Sequence, residues 1–217
     1  MAEGSKPRLA KRRLVGGDGE LQVFCADEQT AIAVDLARWQ RLAEECLTAL
    51  GVRGLAEMSV LYVGVDEIAE LNREYLAKEG PTDVLSFPID VDAHLDDMTM
   101  VDVLADARGP SRAPDRAPVD IDDMPLLLGD IVICPAVAVE QASTHAGTLD
   151  DELALLLVHG ILHVLGHDHA EPGETARMRT SERELLETYH WHGPAPDGFR
   201  HTHPDDPDAD PDEAAPA

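Results

Sequence analysis

Residues 151–169 read DELALLLVHGILHVLGHDH, and this stretch governs how the rest of the chain must be arranged. Between 151 and 165, Leu153, Leu155, Leu156, Leu157, Val158, Ile161 and Leu162 leave almost no polar face. A helix that is apolar all round has to be covered by other elements. A central, buried helix is therefore expected over 151–165, with Asp150 as its cap and Gly166 closing it. Two histidines, His159 and His163, interrupt the apolar surface four residues apart. At that spacing both rings leave the helix on one face and can grip one ion.

Burying two imidazoles without partners costs on the order of several kcal/mol in total. A shared metal ion removes that cost. The turn at Gly166 lets His167, Asp168 and His169 fold back toward the pair. Three protein ligands and one open position are the pattern of catalytic rather than structural zinc. The expected ligand set is His159, His163 and His169, with His169 preferred over His167 and Asp168 placed to orient a ligand. The plainer alternative is a hydrogen-bonded pair of core histidines. The chain has ten histidines, so spacing alone would carry little; the apolar setting and the following turn carry the argument. His94, His145, His190 and His192 read as surface or packing residues, and His201 and His203 as solvated residues of a tail.

Gly160 stands where the HExxH pattern of zinc peptidases carries its general base. Its presence argues against that class. A glycine inside a helix costs about 1 kcal/mol relative to alanine, so it also points to close approach by substrate or backbone.

Working outward, residues 126–134 (LLLGDIVIC) form an apolar strand just upstream, followed by a helix from Pro135 to about residue 145. Strands are also expected over 21–25, 58–63 and 83–89, the last at an edge or ending at Pro88. Helices are expected over 30–50, over 67–78 with Asp66 as cap, and over 174–189. Mixed strands and helices with short links imply an α+β fold, a single layered αβα domain with a small mixed sheet. It should span residues 20–192, after a flexible leader (1–19) and before a disordered acidic tail (193–217).

The net charge of −26 is concentrated in blocks. Residues 90–123 hold ten Asp against three Arg, and 201–217 hold five Asp and one Glu with no Lys or Arg. Such blocks read as solvated segments: an acidic insertion at about 90–125 and the acidic tail. Taken alone, this charge argues against gross attraction to nucleic acid. Cys25, Cys46 and Cys134 are few and widely spaced, as expected of reduced core residues. With no signal peptide and no apolar run of membrane-spanning length, a soluble cytoplasmic protein is expected.

Residues 159–169, HGILHVLGHDH, closely resemble the signature HGxLHLxGxDH of the YbeY family of bacterial metal-dependent endoribonucleases, with Val164 in place of the usual Leu. Residues 71–88 (LNREYLAKEGPTDVLSFP) are similar to the family segment NxxYRxKDxPTDVLSFP, differing at Leu76 and Glu79. Residues 128–134 (LGDIVIC) resemble the strand before the histidine helix. The resemblance spans about residues 20–190. It does not account for the leader, the tail or the stretch 90–125, which is longer than the family leads one to expect.

The resemblance implies a cytoplasmic, single-strand-specific endoribonuclease. It would act in rRNA maturation, at the 3′ end of 16S rRNA, and in ribosome quality control. It further implies one zinc ion per chain on His159, His163 and His169. The expected partners are single-stranded RNA and the ribosome or ribosomal proteins, with no membrane and no DNA. The family's functional arginine falls on Arg73, whose guanidinium suits charge building on a phosphate. Asp83 and Ser86 would shape the cleft, with Asp83 placed to hold Arg73. Two alternatives stay open: a non-catalytic ribosome assembly factor with a structural zinc, and a zinc hydrolase acting on another substrate. Iron, nickel and copper also bind imidazole.

Overall fold

A computed structural model describes residues 19–89, 125–167 and 172–201. In chain order the elements are β1 (Leu21–Asp27), α1 (Leu36–Ala49), β2 (Ala56–Tyr62), α2 (Val65–Leu76), β3 (Val84–Pro88), β4 (Leu126–Ile133), α3 (Pro135–Ala142), α4 (Leu149–Val164) and α5 (Pro172–Leu185). A π-helical turn, Leu186–His190, continues α5. The four strands form one sheet in the order β1-β2-β4-β3. β1, β2 and β4 run parallel, and β3 pairs antiparallel with β4 at an edge, as Pro88 led one to expect.

Side chains alternate across the pleat, so each strand feeds two layers. Met58, Val60 and Tyr62 of β2 and Ile131 and Ile133 of β4 face α1 and α4 in the main core. Leu61 and Val63, with Leu85, Val132 and Cys134, meet Ile68 and Leu71 of α2 on the other face. The fold is thus mixed α+β with helices on both faces of a small mixed sheet. As its composition requires, α4 is the central helix, buried from Asp151 to Leu162. Cys46 and Cys134 are buried free thiols, and burial followed by the charge of Glu45 pushes the Cys46 thiol up to about 12.

Several helix starts differ from expectation, each for a local reason. Residues 30–35 do not join α1. The Gln29 side chain accepts from the backbone N–H of Ala31 (2.7 Å) and Ile32 (2.9 Å), folding that stretch into a loop, and Asp35 caps the helix. α2 begins at Val65 after Gly64, leaving Asp66 in the first turn. Thr148, not Asp150, caps α4: its hydroxyl accepts from Asp151 N at 3.1 Å, and Asp150 pairs with Arg38 instead. The end of α4 is as read. Gly166 adopts φ +82°, its N–H donates to His163 O (2.9 Å), and His167 N–H donates to Leu162 O (2.9 Å), closing a Schellman motif.

Gly160 is explained by packing. A Cβ there would lie 2.8 Å from Ile131 Cγ2 and 3.2 Å from Ser86 Oγ. The nearest atoms are side chains of β4 and β3 rather than backbone, and the contact seats α4 directly on the sheet. Gly160→Ala gains about 1 kcal/mol of helix propensity but overpacks this contact, which costs roughly 1–3 kcal/mol. We expect a net loss of about 1 kcal/mol in a urea titration; an unchanged or higher midpoint would mean that Ile131 gives way freely.

Residues 193–201 lie among the described residues and make contacts with the domain. Phe199 packs on Trp191 with ring centroids 4.7 Å apart, and Arg200 N–H donates to His145 O at 2.8 Å. The leader 1–18, the stretch 90–124 and residues 202–217 lie outside the described residues. Among the described residues no helix is long and apolar enough to cross a membrane.

Candidate metal centre

His159 and His163 both leave α4 on the face that the i, i+4 spacing dictates. Their Nε2 atoms converge to 3.1 Å, with the rings inclined at 79°. His159 is 7% exposed, and its Nδ1 sits 2.7 Å from Oε1 of Glu182 on α5. Glu182 is itself 3% exposed. Burial alone would raise the pKa of this carboxyl; hydrogen bonds from His159 and His201, together with their charges, hold it down at about 2. An ionised carboxylate can only accept, so Nδ1 of His159 is the donor in this contact and Nε2 is the ring atom turned toward His163.

This donor set fits a small soft cation. Two nitrogens at tetrahedral positions around zinc, with bonds of about 2.0–2.1 Å, stand roughly 3.3 Å apart. The observed 3.1 Å lies close to that edge. A carboxylate on the far nitrogen of a ligating histidine is the usual supporting arrangement. The structure therefore brings together two of the three expected ligands. His169, the third, and Asp168 lie outside the described residues, and among the described residues no group of three His, Cys, Asp or Glu gathers at a point.

Arg73 lies on α2, at the opposite face of the sheet from α4. Its side chain is 60% exposed and meets Glu70 at 3.7 Å. Asp83 does not hold it. Asp83 is buried, and its Oδ1 accepts from Val84 N (2.9 Å) and Thr82 Oγ1 (3.1 Å), fixing the start of β3. Ser86 faces α4 beside Gly160, within the same layer as the histidine helix. Two further histidines make packing contacts: His145 sits 3.4 Å from the buried Glu152, and His190 Nε2 meets Asp151 at 2.9 Å, while His94 and His203 lie outside the described residues. His201 reaches Glu182 Oε2 and is not a solvated tail residue. The sequence reading missed both Glu182 and His201. Glu182 sits in a run of charged residues where a glutamate is the default, so only the three-dimensional contact singles it out.

Residues 24–190 match the family model described as Endoribonuclease YbeY. The chain belongs to this family. A YbeY endoribonuclease from Salinispora tropica is 44% identical over 148 residues, covering 68% of this chain and 83% of its own length. One from Beutenbergia cavernae is 40% identical over 161 residues, covering 74% and 93%. The solution structure of TM1509 from Thermotoga maritima aligns with a TM-score of 0.42 at 20% identity, covering 78% of this chain and 93% of that one. The YbeY match contains α4 and its histidine pair, α5 with Glu182, and the segment carrying Arg73. It stops short of His201.

Proposed function

We propose that this chain is a single-strand-specific, zinc-dependent endoribonuclease. In this reading it acts in the cytoplasm on rRNA precursors, at the 3′ end of 16S rRNA and in ribosome quality control, in contact with the ribosome or its proteins. Family membership supports the endoribonuclease class. The converging Nε2 atoms, with Glu182 behind His159, carry the metal reading. His159, His163 and His169 would hold one zinc ion. When bound, such an ion supplies Lewis-acid polarisation of a phosphate oxygen and activation of water.

The chain's own groups do the rest. Glu182 holds the His159 ring in one tautomer and one orientation. Gly160 keeps α4 against β3, so the histidines stand at a fixed height above the edge strand. Arg73 would bind a phosphate of the substrate through its planar guanidinium, which its exposure allows. The half-exposed Tyr75 lies edge-on to Phe87 of β3 (centroids 5.0 Å) and offers a face on which an unpaired base can stack. That favours single strands, whose bases are splayed, over a duplex.

The test is cleavage of matched single-stranded and duplex RNA from an rRNA precursor. Wild type should cut only the single strand. Arg73→Ala should retain its zinc and lose roughly 100- to 1000-fold in rate, the range seen when one charge-stabilising donor is removed. Equal cleavage of both RNAs would refute strand specificity, and an Arg73→Ala rate equal to wild type would remove Arg73 from the machinery.

A further inference from the structure

Glu182 is held from both sides. One carboxylate oxygen takes His159 Nδ1, and the other takes His201 Nε2. His201 arrives on a short strap that runs back over the domain and is anchored just before it. Phe199 N–H donates to Pro196 O (3.0 Å), tightening the turn, and Arg200 N–H donates to His145 O (2.8 Å). The Phe199 ring packs on Trp191, whose Nε1–H donates to Asp151 Oδ1 at 2.6 Å near the start of α4. The strap passes close over the turn before α4: a Cβ on Gly147 would come 3.4 Å from Gly198 O. The side chains of His201 and Glu182 are 14% and 4% exposed, so the contact is largely shielded from water.

We propose that the strap 196–201 is part of the metal centre's frame, with His201 a positioning residue that acts through Glu182 on His159. A carboxylate bound at one oxygen only can pivot about that bond. With both oxygens engaged its plane is fixed, and so is the line along which His159 directs Nε2 at the point shared with His163. Supporting partners of this kind typically contribute 10- to 100-fold to metal affinity. The strap lies beyond the matched segment 24–190. The inference rests on the reading of His159 and His163 as metal ligands.

The full chain is titrated with zinc against a chromophoric chelator, as wild type, His201→Ala, His201→Gln and His163→Ala. In parallel, the Nδ1–H signal of His159 is followed by nitrogen-15 NMR before zinc is added. We expect His201→Ala to weaken zinc binding about 10-fold and to broaden the His159 Nδ1–H signal. His201→Gln, whose amide can still donate to Glu182, should restore both. His163→Ala should bind far more weakly than either. If His201→Ala binds zinc as wild type does while His163→Ala has lost it, the strap plays no part and the inference fails with the metal centre intact. Equal weakening by Ala and Gln at residue 201 also overturns it, because the hydrogen bond would not be the device. If His163→Ala binds as wild type does, the ligand assignment itself fails, and the inference with it.

Discussion

His163→Ala is expected to lose bound metal and RNA cleavage together, each by more than about 100-fold, while folding as wild type does. The substitution removes one of two nitrogens that meet at 3.1 Å and leaves His159 buried, still tied to Glu182. Loss of a supporting partner already costs 10- to 100-fold in affinity or activity, and a direct ligand should cost more. Stability should change little, because His163 lies near the C-terminal end of α4 and is only partly buried, outside the main core. Metal content, cleavage rate and a urea titration on the same preparation check all three. A variant with wild-type metal and rate would mean that the two imidazoles are simply a hydrogen-bonded core pair.

Gly129→Ala is expected to be the most damaging glycine-to-alanine change among the described residues, lowering stability by about 3 kcal/mol or more. Gly129 has φ +145°, a conformation that side chains rarely adopt, and a Cβ there would lie 2.3 Å from Phe87 O and 3.1 Å from Pro88 Cα. Those atoms belong to the backbone of β3, which pairs Pro88 with Gly129 and Phe87 with Asp130. They cannot withdraw without opening the β3–β4 ladder. Because β3 also carries Ser86 against α4, the damage should reach the histidine helix. A urea midpoint equal to that of wild type would refute the steric argument.

The readable parts of this sequence were those fixed by local pattern. α4 could be read because an all-apolar helix has only one place to go, and its end because Gly166 supplies the left-handed residue that a Schellman motif needs. Its start was misplaced by two residues. Thr148 and Asp150 are both good caps on paper, and the salt bridge from Arg38 that engages Asp150 comes from 112 residues away. The start of α1 was missed for a similar reason, since the apolar spacing continues through residues whose backbone N–H groups are taken by Gln29.

The candidate site divides in the same way. His159 and His163 lie on one helix, so their convergence follows from helical geometry. Glu182 and His201 come from other elements, 23 and 42 residues beyond His159, and no periodicity links them to it. Arg73 came only from the resemblance. The structure places it on the far layer of the sheet, where a substrate would have to pass the β3 edge to touch both it and the histidines.

The most direct test of the account is elemental analysis of the purified chain, paired with single-stranded RNA cleavage before chelation, after chelation and after zinc is restored. The account predicts about one zinc per chain, cleavage that disappears with the metal, and recovery when zinc is returned. A chain that cuts the same RNA at an undiminished rate with its metal removed would contradict it.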